Sequence, residues 1–156
     1  MSVGMKSRVD EAVKLFESGY NCCQAVFATY SDIFGIDRET ALKMTNPMGG
    51  GVAKMREVCG TVNAIALLTG LRDGNADADN QEAKTRIYDK VQQMASQFKY
   101  ENGSIVCRQL LGELDNDKNP APSVRTPEYY GTRPCSKFVA DAANIVESML
   151  IDDLID

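Results

Sequence analysis

The stretch from Val58 to Leu71 holds fourteen consecutive residues without a charge, the least polar run in the chain. It falls short of the ~20 residues that a helix needs to cross a bilayer. It is also too apolar around its circumference to lie on a surface without leaving a large apolar patch. A helix from about Arg56 to Thr69, with Gly70 past its end, is therefore predicted at the centre of the fold and as its most buried element. The rest of the sequence must enclose it.

What encloses it has helical period. Met5, Val9, Ala12, Val13 and Phe16 form an apolar stripe that Gly19 ends. Asn21 caps a second helix carrying Val26, Phe27, Tyr30, Ile33 and Phe34, stopped by Gly35. Asp37 caps a short third helix ending near Asn46-Pro47. Asn46 to Gly51 is a loop, because three glycines and a proline hold no regular element. Asp73 to Asn80 is a second, polar loop, and a long helix then runs to about Tyr100 with Ile87, Val91, Met94 and Phe98 on one face. Ser104 caps a short helix through Leu111, stopped by Gly112. Glu113 to Pro134 holds four of the five prolines and is predicted irregular. A final helix turns Phe138, Ala142, Ile145, Val146 and Met149 inward. No useful stretch alternates with strand period, so the 156 residues predict a single all-α domain of six or seven helices.

The chain has no histidine. Ser-His-Asp and Cys-His catalysis, Cys₂His₂ zinc and His-ligated haem are thereby removed. A net charge of −5, from 17 basic and 22 acidic side chains, argues against a broad nucleic-acid surface. The first residues, Met1 to Arg8, lack the apolar core of a signal peptide, so a cytoplasmic setting without membrane insertion is expected. Standing disulfides are rare in that compartment, yet there are five cysteines. They are either small buried hydrophobes or the carriers of chemistry.

Their positions favour chemistry, although no C-x-x-C pair is present. Cys22 follows the Asn21 cap, Cys59 lies in the first turn or so of the central helix, Cys107 is three residues past Ser104, and Cys135 follows Pro134. Each is near a helix N-terminus, where unpaired N–H groups and the helix dipole favour a thiolate. In an up-and-down bundle alternate helices start at the same end, so the four can converge. Cys23 cannot share the direction of Cys22, because adjacent helical residues diverge by ~100°.

Four segments then resemble a bacterial and archaeal family of redox-active proteins named for its cysteine pattern, C…GCAxxG…C…C. They are Gly19-Tyr-Asn-Cys-Cys-Gln-Ala-Val26, Gly49-Gly-Gly-Val-Ala-Lys-Met-Arg-Glu-Val-Cys-Gly60, Cys107-Arg-Gln-Leu-Leu-Gly112, and Cys135 with Val139, Ala142 and Ala143. The resemblance spans roughly residues 8–150 and places the family's four cysteines on Cys22, Cys59, Cys107 and Cys135. Cys23 stands where many members have alanine, and Thr61 and Ala64 stand where the family favours alanine and glycine. Redox chemistry at the four thiols is what the resemblance implies, without a defined substrate.

Gly49, Gly50 and Gly51 with Lys54 and Arg56 offer an anion-binding nest. They also read as a turn that passes close to the central helix, or as a source of positive charge that lowers the pKa of Cys59. Asp73 to Asp79 lacks the glycine and glutamate of a calcium loop and reads as a solvated cap. Asp115 and Asp117 read as turn residues, while Tyr129 and Tyr130 either cover a site or anchor the long segment.

Two mechanisms suit the four cysteines. One is thiol–disulfide exchange or electron transfer with a redox partner protein or a small thiol or disulfide. The other is an iron–sulfur cluster or zinc held by four thiolates. A helical subunit of a larger oxidoreductase, with merely packed cysteines, is the alternative of another class, and a homodimer is left open.

Overall fold

Capping groups decide where several helices begin. The Asn21 side chain accepts from Gln24 N at 2.8 Å, and Gln24 Oε1 accepts from Asn21 N at 2.9 Å. This reciprocal capping box starts a helix at Cys22. Asp37 accepts from Thr40 N, and Asn80 from Ala83 N, at two further starts.

The computed structural model describes residues 4–112, 114 and 117–156. Among the described residues there are eight α-helices and no sheet. In order they are α1 (Val9–Glu17), α2 (Cys22–Tyr30), α3 (Arg38–Thr45), α4 (Gly60–Asp73), α5 (Gln81–Asn102), α6 (Cys107–Leu111), α7 (Pro127–Thr132) and α8 (Cys135–Ile145). Short 3₁₀ turns follow α2 and α3, and a π turn over Val146–Leu150 follows α8. The all-α class agrees with the sequence. Among the described residues, no helix is long and apolar enough to cross a membrane.

The core centres on α2, not on α4 as the uncharged run predicts. Eight of the nine residues of α2 are buried, against seven of the fourteen in α4. The reason is placement: α2 packs against α1, α3, α4 and α8, whereas α4 is covered by α2, α5 and α8 and leaves Leu67 exposed. Glycine, alanine, asparagine and threonine give α4 a slim outline, so its outward side presents one leucine and no large patch. Phe16, Phe27, Ile65, Leu68, Phe98 and Val139 fill the space between these helices.

Boundaries shift for local reasons. Met5 lies outside α1, because its backbone pairs with the C-terminal segment at Leu154 and Asp156. The helix predicted from Arg56 starts only at Gly60 and runs through Gly70 to Asp73. Ser104 turns its hydroxyl to Val106 N instead of capping a helix, so α6 starts at Cys107. The additional helix, α7, lies in the segment predicted irregular. Thr126 Oγ1 accepts from Tyr129 N at 3.1 Å, and Pro127 occupies the first turn, where its missing N–H is harmless. Glu113 and Asp115, at the head of that segment, lie outside the described residues.

A buried polar link closes the C-terminal side. The Tyr30 hydroxyl donates to the Glu147 carboxylate, which also accepts from Arg8 N at 2.7 Å. This joins α2, the N-terminal segment and the π turn.

Candidate functional site

Four helices place a cysteine at their N-terminal boundary. Cys22, Cys107 and Cys135 are the first residues of α2, α6 and α8, and Cys59 is the N-cap of α4. All four line one cavity of about 50 Å³. Arg56, Arg125, Arg133, Tyr129 and Phe138 complete much of its wall. All five cysteines are free thiols. Cys59 and Cys107 are buried, while Cys22 and Cys135 keep partial solvent access.

Backbone pairing brings Cys59 and Cys107 together. Val58 and Val106 form an isolated antiparallel bridge, flanked by Cys59 N donating to Ile105 O at 2.8 Å and Cys107 N donating to Glu57 O at 2.6 Å. Side chains alternate across such a ladder, so Cys59 and Cys107 lie on the same side of it. Glycines permit two further approaches. A Cβ on Gly60 would lie 2.7 Å from Cys22 Sγ, and one on Gly51 would lie 2.7 Å from Cys107 Cβ. Both clashes are too close for any side chain.

The glycine-rich loop has an unusual backbone. Gly50, Gly51, Val52, Ala53 and Lys54 all have φ between +49° and +69°, and Arg56 follows at +61°. Left-handed backbone costs roughly 1–2 kcal/mol for each non-glycine residue. Long turns hold it closed: Ala53 N donates to Pro47 O at 2.8 Å, Arg56 N to Gly50 O at 3.0 Å, and Glu57 N to Gly51 O at 2.9 Å. Strain of this kind persists where surrounding structure over-determines it. The loop's amides from Val52 to Glu57 are thus engaged with backbone carbonyls.

Cys59 is the thiol whose environment favours ionisation. The Cys22 thiol, placed to donate to Cys59 Sγ, is the main cause, joined by the Thr61 hydroxyl 3.0 Å away and the N–H groups of Thr61 and Val62. No side-chain bond caps α4 at Cys59, and Val62 N donates to Cys59 O at 3.0 Å. Together the Cys22, Thr61 and Val62 donors outweigh burial and lower the Cys59 pKa to about 7. Donation to Cys59, reinforced by burial, pushes Cys22 well above its usual value. Burial raises Cys107, with Arg56 opposing, and raises Cys135 to about 12, with Arg133 and Arg125 opposing.

Of Lys54 and Arg56, only Arg56 borders the cysteine cavity. Arg56 Nη1 donates to Cys107 Sγ at 3.8 Å, and Lys54 Nζ turns away to Ala121 O at 2.7 Å. Gly50 and Gly51 border the cysteine cavity, whereas Gly49 packs against Asn21. Cys23 is fully buried in the core. Four thiols are the donor set of a zinc or iron–sulfur site. Among the described residues, however, no three Cys, Asp or Glu side chains are gathered closely enough to hold a metal ion.

Residues 20–149 match the family described as "Putative redox-active protein (C_GCAxxG_C_C)". The chain belongs to this family. No curated protein and no solved structure matches it. The match begins at the capping turn of α2 and ends within the π turn after α8, so it takes in all four cysteine-bearing helices.

Two cavity residues escaped the sequence reading. Arg125 and Arg133 flank Tyr129 at i−4 and i+4, with guanidinium carbons 4.7 and 4.3 Å from its ring centroid. Charges spaced four residues either side of an aromatic, just before Cys135, were the available signal.

Proposed function

We propose that this member of the redox-active family exchanges thiols with disulfides through Cys22 and Cys59, with Cys107 and Cys135 lining the same cavity. The observation that carries the reading is the convergence of four helix-N-terminal cysteines on one space. A merely structural set would be scattered through the core, as Cys23 is.

The Cys59 thiolate attacks one sulfur of a substrate disulfide, forming a mixed disulfide and releasing one substrate thiolate, which takes a proton from water. Cys22 then loses its proton to water and attacks Cys59 Sγ. The mixed disulfide breaks, the second substrate thiolate leaves, and a Cys22–Cys59 disulfide remains. Two protein thiols are oxidised and one disulfide is reduced to two thiols. Run backwards, the same steps oxidise a dithiol.

The test is non-reducing peptide mapping after one equivalent of a small disulfide is added to the anaerobically reduced protein. A Cys22–Cys59 bridge is expected, and Cys22→Ser should stop at a mixed disulfide on Cys59. Protein that forms neither species, or that carries stoichiometric iron or zinc on all four thiols when purified anaerobically, overturns the reading.

A further inference from the structure

A second pocket of about 440 Å³ adjoins the cysteine cavity. The two share Asn21, Gly50, Arg56, Arg125, Tyr129 and Arg133, so these residues are wall to both. The volume lies in the range that takes a small molecule, roughly 300–1,000 Å³. The cysteine cavity, at about 50 Å³, admits only a slender group.

Charge distinguishes this vestibule. The chain carries a net −5, yet Lys54, Arg56, Arg125 and Arg133 all line the vestibule and, among the described residues, no aspartate or glutamate does. Arg125 is the best fixed. Its guanidinium carbon stands 4.7 Å from the Phe16 and Tyr129 ring centroids, and its nitrogens donate to Phe16 O at 3.3 Å and Tyr20 O at 3.1 Å. Rings and carbonyls orient this cation without neutralising it. Lys54 Nζ donates to Ala121 O at 2.7 Å and stands 3.7 Å from Asp117 Oδ2, whose side chain is largely exposed. A concave site lined by one sign of charge concentrates ligands of the other sign.

We infer that the vestibule binds the carboxylate groups of a small anionic disulfide or thiol and so presents its sulfur to Cys59. The inference rests on the thiol reading for its purpose and on the pocket for its chemistry. A slender disulfide with acidic arms suits both spaces: the arms stay beside Arg125 and Lys54 while the sulfurs enter between the cysteines.

The experiment compares three disulfides of similar size on the reduced full chain: dithiodipropionate (dianion), dithiodipropionamide (neutral) and cystamine (dication). At low ionic strength the dianion should react about tenfold or more faster than the neutral compound, and cystamine slower than either. Salt near ~1 M should erase the order, since screening then acts within ~3 Å. Lys54→Glu should shrink the anion-to-neutral ratio several-fold, while Lys90→Gln, on α5 and remote from the pocket, should not; circular dichroism checks that both fold. In parallel, calorimetry follows thiodipropionate, an unreactive thioether dianion, whose binding should weaken in Lys54→Glu. Equal rates for all three disulfides, a preference for cystamine, or thiodipropionate binding indifferent to Lys54→Glu overturns the inference and leaves the thiol reading standing. Reaction with none of the disulfides, alongside Lys54-dependent thiodipropionate binding, overturns the thiol reading and leaves the anion site.

Discussion

Cys22 Sγ occupies the space in which a side chain on Gly60 would begin, 2.7 Å from the position of its Cβ. The α2 and α4 starts can therefore touch only because the residue after Cys59 is glycine. Gly60→Ala should push Cys22 away from Cys59. It should destabilise the fold by about 1–3 kcal/mol, the usual range for overpacking a core. Because the Cys22 thiol is the main support of the Cys59 thiolate, the Cys59 pKa should also rise. Urea titration and pH-dependent alkylation read the two effects. Normal stability with an unmoved Cys59 titration would mean that the helices separate freely here.

Alkylation of Cys59 by iodoacetamide should rise with a midpoint near pH 7, the reaction being that of the thiolate. In Cys22→Ala the largest stabilising group is gone, and the midpoint should move up toward an ordinary thiol at about 8.5. Thr61→Val should move it the same way by less, since the hydroxyl is a weaker contributor than Cys22. Residue-specific mass spectrometry across the pH range makes the measurement. A Cys59 midpoint that stays put in Cys22→Ala separates the two sulfurs.

Cys22 and Cys135 are legible because helix starts carry local signals, an asparagine cap before one and a proline before the other. Cys59 and Cys107 are legible only to within a turn, since their helices begin at Gly60 and Cys107 and not where Arg56 and Ser104 suggest. Convergence was legible only as a permission of alternate helices in a bundle. The central place of α2 was not, since burial of a helix depends on how many neighbours it has, and Gln24, Thr29 and Ser31 disguise an enclosed segment as an amphipathic one. The run Val58–Leu71 misled for the opposite reason, because small residues can face water without a charge. The left-handed loop was equally hidden. Val52, Ala53 and Lys54 carry no turn signature of their own and are held at positive φ by long hydrogen-bonded turns.

That loop supplies a paired prediction. Ala53 is exposed at φ +49°, so Ala53→Gly removes backbone strain with little loss of packing. A gain of about 1 kcal/mol is expected, or roughly 2–4 °C in Tm for a chain of this size. Gly51→Ala meets both penalties, a φ of +69° and a contact of 2.6 Å to Glu57 N. It should lower Tm well beyond the amount that Ala53→Gly raises it. Thermal unfolding of the two variants decides, and a destabilised Ala53→Gly would show that the loop is not left-handed in solution.

Cys23 gives the last prediction, in which neighbouring cysteines separate by role. It is fully buried, and burial pushes its pKa from 9.0 to about 12, with Cys59 adding to the effect. Below pH 9 the thiol is neutral in both folded and unfolded chains, and its contribution to stability is complete. Between 9 and 12 the unfolded chain ionises Cys23 and the folded chain does not, so stability falls by up to about 1.4 kcal/mol per pH unit. Cys23→Ala removes that term. Near about pH 8 the variant should be less stable than the parent by about 1 kcal/mol, the ordinary size for a point change. At roughly pH 10.5 the deficit should shrink or reverse, because only the parent is losing stability through this group. Thiol exchange should survive, in contrast to Cys22→Ala, which removes the partner of Cys59. Urea unfolding at the two pH values, with disulfide exchange assayed on the same samples, makes the comparison. Stability curves that stay parallel would place Cys23 in contact with water, and lost exchange would make it a working member of the site.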